Sequence, residues 1–336
     1  MRSSRYNCER KTVIYRYSES DCIDICNMWA YKLGGGFGIF AFCVPAFYIL
    51  SGYTYHKKTF SRDVKNKVQR LLLPYVIFNL ILLFIYWCVH SSISSNQLLG
   101  VFYSRFSLYK LGSDQNVYFL SADNAPTWFL TSLFCSYILF WGIIMSKRHA
   151  FITIIISFYL FIATLLNQTD LLLPWSIDTA FCTAVFIYGG YYLNKVVYIH
   201  RNVKKSIILI MCAIIYIATY LCNGNMNISI RNYGLSVILC ITTGFSGTFC
   251  LVELSKKIER LPQMIVRPLA SIGRNSLVIF AMQLPLINYG GKLVASFING
   301  QGFIQGLCVC VSQMLFALLI GYLLAKIAHR ILPLSF

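Results

Sequence analysis

The sequence predicts an all-α fold, a polytopic membrane bundle of about nine transmembrane helices. The prediction comes from the lengths of its apolar stretches and from the placement of its charges. A helix needs about 20 mainly apolar residues to cross a bilayer, with a lower limit near 17. Nine stretches approach or exceed that length, and most charged residues lie between them. They are residues 37–55, 72–89, 127–145, 150–166, 178–194, 206–222, 235–251, 275–292 and 305–325.

The distribution of charge predicts how the bundle is oriented. Of 336 residues, 57% are hydrophobic and 12% are charged, a balance that excludes an ordinary soluble domain. After residue 36, one alternating set of loops holds nineteen Lys and Arg residues and the other set holds four. Because Lys and Arg concentrate in cytoplasmic loops, loops 56–70, 146–149, 195–205 and 252–274 and the C-terminus are predicted to face the cytoplasm. The net charge of +18 therefore reflects topology, and no nucleic-acid partner is predicted.

The first 36 residues conflict with this orientation. Nine spans and a cytoplasmic C-terminus place this tail outside, but it carries six basic residues, which is typical of a cytoplasmic tail. Either the tail is translocated, or a first helix has been lost from the reading frame, and we adopt the second interpretation. The predicted organisation is a basic tail at 1–36 and a membrane domain at 37–328.

The thirteen cysteines do not predict a metal centre. Most of them lie inside apolar stretches, where a cysteine behaves as a small hydrophobic residue. Cys22 and Cys26 form a CxxxC pair near polar residues, but no cluster of histidines accompanies them. No metal site is therefore predicted.

Polar residues at membrane depth are the candidates for function. Ser51 lies in an apolar span, where helix packing through small residues is the plainer interpretation. Arg70 lies at the predicted cytoplasmic end of a span, where it either snorkels or binds a phosphate or carboxylate. Asp178 begins a span on the opposite side, and a carboxylate there must be paired or hydrated. Gln283 is predicted to face the bundle interior, because a buried amide needs hydrogen-bond partners.

An ordered set of short strings resembles one protein family. The chain is similar to the integral-membrane acyltransferase 3 family over roughly residues 39–325, and most similar to its fucose 4-O-acetylase-like members from bacterial surface-polysaccharide clusters. Each string alone is weak evidence, but together and in this order they are specific. The strings are VPAFYILSGY at 44–53, RLLLPY at 70–75, PTWFL at 126–130, PWSIDTA at 174–180, YGGYYL at 188–193 and IGRNSLVIF at 272–280.

The resemblance implies a ten-helix enzyme of the bacterial inner membrane. Such an enzyme moves an acyl group, usually acetyl, from a cytosolic thioester to a sugar hydroxyl of a surface polysaccharide or lipid-linked glycan. Acetyl-CoA or a similar acyl-CoA would be a co-substrate, and no bound cofactor is expected. The phosphates of the donor would meet a basic entrance formed by Lys57, Lys58, Arg70 and Arg274. The other polar residues of the strings are candidate substrate-binding or structural residues: Trp128, Asp178, Asn275, Ser276 and Gln283.

The sequence departs from the family where a base is expected. The family usually has His-Met-Pro before the Ser-Gly pair, but this chain has Cys43-Val44-Pro45. The family commonly has histidine at the position of Gln283, and the helix that would carry a Gly-His pair is absent, although the string at 23–25 resembles its start. Because a positioned base contributes about 10²–10⁴-fold, we expect this chain to transfer acyl groups weakly or not at all. The remaining catalytic candidates are Ser51, Tyr53 and His56.

Two other functions stay open at the level of sequence. A transporter or flippase for lipid-linked sugars would also place polar residues at membrane depth, although the strings do not occur as matching halves. A catalytically inactive homologue is the other alternative, because it would keep the fold without the histidines.

Overall fold

The computed structural model describes residues 39–110, 117, 119, 127–199, 205–258, 261–274 and, beyond these, 278–279, 281–282, 286, 312, 315–316 and 318–326. Within this part of the chain the regular elements are helices, and β-pairing is limited to two isolated bridges. The predicted all-α membrane fold is confirmed.

Ten named helices are present among the described residues, and seven of them coincide with predicted spans. The predicted spans 275–292 and 305–325 lie largely outside the described residues, so the number nine stays a prediction. The helices are α1 (Ile39–Tyr53), α2 (Phe60–Lys67), α3 (Leu73–His90), α4 (Ser95–Tyr103), α5 (Trp128–Met145), α6 (His149–Asn167), α7 (Ile177–Ile199), α8 (Lys205–Asn223), α9 (Val237–Ile258) and α10 (Gln263–Arg274).

Four helical segments are long and apolar enough to cross a membrane by length and composition. They are Phe60–Cys88, Trp128–Met145, His149–Asn167 and Val237–Ile258. Of α6, only Ala163 is fully buried in the protein, and its exposed apolar side chains would face lipid: Phe151, Ile154, Phe158, Phe161 and Leu165. These helices make the chain a multi-pass membrane protein.

A π-helical turn, Val68–Leu72, joins α2 to α3. Pro74 lies just beyond it and has no backbone N–H to donate to the carbonyl of Arg70. Loss of that hydrogen bond explains the wider turn at Arg70. Such turns are frequent at functional sites, and this one presents the arginine at the polar end of the span.

Helix α7 is the centre of the bundle, packed against α1, α5 and α6, while α9 packs against α1 and α8. Glycines allow α1 and α7 to touch through their backbones. A Cβ atom on Gly190 would lie 1.9 Å from the carbonyl oxygen of Ile49, and one on Gly52 would lie 1.9 Å from that of Ile187. Each glycine belongs to one of the strings that resemble the family, Gly52 to the string at 44–53 and Gly190 to the string at 188–193. These two strings therefore meet where α1 crosses α7.

A second compact unit includes Ser271–Phe336. Among its described residues, the Ser271 hydroxyl lies 2.8 Å from the Tyr322 hydroxyl. Gly321 packs against Ile279, which is buried. The small residue therefore permits close helix contact within this unit as well.

Candidate functional site

A buried charged cluster lies at one end of the larger unit. The carboxylate of Asp178 accepts hydrogen bonds from the guanidinium groups of Arg105 and Arg231, at 2.7 Å for the latter. All three side chains are almost fully enclosed. We call these three residues the Arg-Asp-Arg centre. It carries one surplus positive charge, and burial lowers the pKa of Arg105 while the charge of Asp178 acts in the opposite direction.

The hydrogen-bonding capacity of Asp178 is fully used. Besides the two arginines, its oxygens accept from the backbone N–H of Leu173 at 3.3 Å and of Thr179 at 3.0 Å. An ionised carboxylate has about four acceptor positions, so none remains for a substrate. This arrangement supports the structural alternative that the sequence left open for Asp178.

The arginines of the centre hold three loops together. Arg105 follows α4 and donates to the carbonyl of Leu173 at 3.1 Å. Arg231 lies between α8 and α9 and donates to the carbonyl of Leu171 at 3.0 Å and to the Thr169 hydroxyl at 2.9 Å. These are the loops that the charge pattern assigns to one side of the membrane, the side opposite the basic loops.

A second polar cluster lies at the other end, where α1 ends, α2 begins and α5 ends. Asp63 of α2 is buried, and its Oδ2 atom accepts from the Tyr55 hydroxyl at 3.0 Å and from the Trp141 indole N–H at 2.6 Å. A partly open cleft of about 10 Å³, room for about one water molecule, adjoins it. We call it the Asp63 cleft; it is lined by Asp63, Val64, Lys67, Phe134, Tyr137, Ile138 and Trp141.

Asp63 and Lys67 do not pair, although four residues separate them on one helix. An acid and a lysine at this spacing and in this order normally form an ion pair. Here the aromatic neighbours hold them apart: Trp141 and Tyr55 fix the carboxylate, and the Lys67 ammonium lies 3.3 Å from the centroid of the Tyr137 ring. Among the described residues no ion pair joins the two.

Ser51 is the one predicted catalytic residue that reaches this cluster. Its hydroxyl lies 2.5 Å from the Tyr137 hydroxyl, which also donates to the Ser51 carbonyl at 3.0 Å. This pair fixes the end of α1 against α5. It also sets the position of the Tyr137 ring that supports Lys67.

The other predicted residues of this region lie on the surface and do not line the cleft. Tyr53 is 39% exposed, and its carbonyl accepts from the side chain of Asn194 at 2.6 Å. His56, Lys57 and Lys58 follow α1, and their side chains are exposed, as is that of Arg70 in the π-helical turn. The exposed cations lie at one end of the bundle, and their role as an entrance for the donor stays a prediction.

The structure describes only some of the remaining predicted residues. Trp128 begins α5, is half-buried and packs edge-on against Phe129, with 6.1 Å between ring centroids. Arg274 is the last residue of α10. Asn275, Ser276 and Gln283 lie outside the described residues. Among the described residues, His, Cys, Asp and Glu form no group of three or more that could hold a metal ion.

Sequence reasoning missed Asp63, Lys67 and both arginines of the buried centre. Arg105 and Arg231 were counted as loop charges, and Lys67 as a topology charge. A signal was available, because cations on the side where Lys and Arg are depleted need another reason to be there. For Asp63, the signal was its position as the one acidic residue of the predicted loop 56–70.

The apolar helices define a multi-pass membrane protein, and its larger unit contains two buried polar clusters. A family model for the acyltransferase domain matches residues 23–326, and the chain therefore belongs to the acyltransferase 3 family. The match includes residues 23–25. Searches of curated proteins and of solved structures found no match to this chain.

Proposed function

We infer that this membrane acyltransferase moves an acetyl group from acetyl-CoA to a sugar hydroxyl of a surface polysaccharide or lipid-linked glycan. The observation that carries the proposal is the set of exposed cations at one end of the bundle, Lys57, Lys58 and Arg70. Family membership supplies the class of reaction. The bacterial inner membrane, with the basic end in the cytoplasm, is the proposed location.

The basic end of the bundle suits the donor. Lys57, Lys58 and Arg70 are exposed there, and coenzyme A carries several phosphates that such a surface would attract. The phosphate end of the donor would lie against this surface.

The experiment is transfer of labelled acetyl from acetyl-CoA to an isolated surface polysaccharide, by the full chain in lipid vesicles. We expect weak labelling of the glycan by the unmodified chain and stronger labelling by the Cys43→His variant. Movement of a lipid-linked sugar without acyl transfer would instead identify a transporter. Donor binding without transfer, restored in the Cys43→His variant, would identify an inactive homologue.

Arg70→Lys tests the donor surface. The substitution keeps the positive charge that sets topology but removes the planar fork that binds phosphate through two hydrogen bonds. We expect the affinity for acetyl-CoA to fall by about tenfold, since one charge-assisted hydrogen bond contributes about 1.5–3 kcal/mol. Equilibrium binding of labelled acetyl-CoA measures this. Arg62→Lys, on the exposed face of α2, is the matched control, and unchanged binding by Arg70→Lys would exclude a specific role.

A further inference from the structure

We propose that Asp63 is a positioning residue for the donor site. It fixes helix α2 against α5, so that the π-helical turn presents the Arg70 guanidinium to the phosphates of acetyl-CoA. The inference rests on the proposed acyl transfer. It gives a role to a buried carboxylate that touches neither substrate and moves no proton.

Helix α2 depends on contacts with other parts of the bundle. It has eight residues, and the Thr59 side chain at its N-terminus makes no capping hydrogen bond. Isolated helices shorter than about 12–15 residues are marginal in water, so a segment of this length needs tertiary contacts. Asp63 is the buried residue of this helix. The position of α2 therefore depends chiefly on what Asp63 contacts.

The Asp63 carboxylate joins α2 to two neighbouring segments. Its Oδ2 atom accepts from the hydroxyl of Tyr55, just after α1, at 3.0 Å and from the indole N–H of Trp141 in α5 at 2.6 Å. Hydrogen bonds to an ionised acceptor are roughly twice as strong as neutral ones. These two bonds therefore fix α2 in place from both sides.

Contacts before and after Asp63 fix the rotation of α2. Phe60 packs edge-on against Trp141, with 5.1 Å between ring centroids. At the other end of the helix, the Lys67 ammonium lies 3.3 Å from the centroid of the Tyr137 ring. Residues three and four apart share one face of a helix, so Phe60, Asp63 and Lys67 form a single stripe. That stripe meets Tyr137 and Trp141, which are four residues apart on α5.

The π-helical turn transmits this position to Arg70. The turn begins directly after Lys67, and within it Leu71 is buried while Arg70 is exposed. Because a π-helical turn makes i→i+5 hydrogen bonds, α2 and α3 do not share one continuous α-helical register. The packing of α3 alone therefore does not set the rotation of the segment before it. The contacts of Asp63 supply that constraint, and the direction of the Arg70 side chain depends on them.

Equilibrium binding of labelled acetyl-CoA to the full chain in lipid vesicles tests the proposal. Asp63→Ala removes both hydrogen bonds, and we expect the affinity to fall by about tenfold, as for Arg70→Lys. Asp63→Asn keeps an oxygen that can accept from both donors and should stay within about threefold of the unmodified chain. Ser61→Ala removes an exposed hydroxyl from the same helix and is the control that should leave the affinity unchanged.

The direction of the change separates positioning from simple electrostatics. Removal of a negative charge close to a basic surface should by itself raise the affinity for an anionic donor. Loss of the position of Arg70 should lower it. Tighter binding of acetyl-CoA by Asp63→Ala would therefore overturn the proposal.

A double-mutant cycle separates positioning from a general loss of folding. If Asp63 acts through Arg70, the variant that combines Asp63→Ala with Arg70→Lys should bind acetyl-CoA about as weakly as either single variant. A purely structural role for Asp63 would give losses that add. Additive losses would overturn the proposal.

Trp141→Phe provides the test if Asp63→Ala does not fold. It keeps an aromatic ring against Phe60 and removes the N–H that binds Asp63, so the affinity should fall by about threefold. Unchanged affinity in Trp141→Phe would overturn the proposal. An unmodified chain that binds acetyl-CoA no more tightly than Asp63→Ala would overturn this inference alone. An unmodified chain that does not bind acetyl-CoA would overturn the proposed function, and this inference with it.

Discussion

Asp178→Asn is expected to lower the free energy of unfolding by about 3–5 kcal/mol, the usual cost of removing one partner from a buried ion pair. The amide keeps the size of the carboxylate but loses its charge. Arg105 and Arg231 would then remain as two enclosed cations without a counter-ion. We expect a lower yield of folded protein and a lower midpoint of thermal unfolding in detergent.

An exposed pair on the same chain provides the control. Glu253 accepts from Lys256 at 2.6 Å, but the Lys256 side chain is 51% exposed. Glu253→Gln should change stability by no more than about 1 kcal/mol, because exposed ion pairs contribute little. If Asp178→Asn and Glu253→Gln have similar effects, the Arg-Asp-Arg centre does not hold the loops together. Asp178→Glu keeps the charge and should recover part of the loss.

The membrane helices were predictable because hydropathy decides where a bilayer span begins and ends. The predicted spans 127–145 and 150–166 became Trp128–Met145 and His149–Asn167. Helix α4 was not predicted, since it is short and lies between two of the predicted spans. Its signal was local: Ser94 and Gln97 form a capping box, in which each side chain bonds the backbone N–H of the other.

The polar clusters were only partly predictable. The expectation that Asp178 must be paired follows from the cost of an isolated charge near a membrane. Its partners are 73 and 53 residues away in sequence, so no local pattern could identify them. Asp63 was hidden for another reason. Its loop was interpreted through its positive charges, and the aromatic contacts that hold it apart from Lys67 come from other helices.

Gly190→Ala is expected to lower stability by about 1–3 kcal/mol, because the added methyl group would overlap the backbone of α1. Helices in membranes associate closely where small residues let their backbones approach. The substitution should also weaken acyl transfer, since Ser51 lies at the displaced end of α1. Thermal unfolding and transfer rate, measured on the same preparation, test both effects. Gly273→Ala, where an added Cβ meets nothing within 4 Å, is the control that should leave both unchanged.

The neighbouring Gly189 provides a contrast, because it faces a side chain whereas Gly190 faces the backbone. A Cβ on Gly189 would lie 2.1 Å from a ring carbon of Phe245, which is a side chain and can be removed. Phe245→Ala should therefore restore part of the stability lost in Gly189→Ala. No substitution at Ile49 should rescue Gly190→Ala, because the atom in the way is the Ile49 carbonyl oxygen. Rescue of Gly190→Ala by Ile49→Ala would mean that α1 and α7 are separated by side chains rather than in backbone contact.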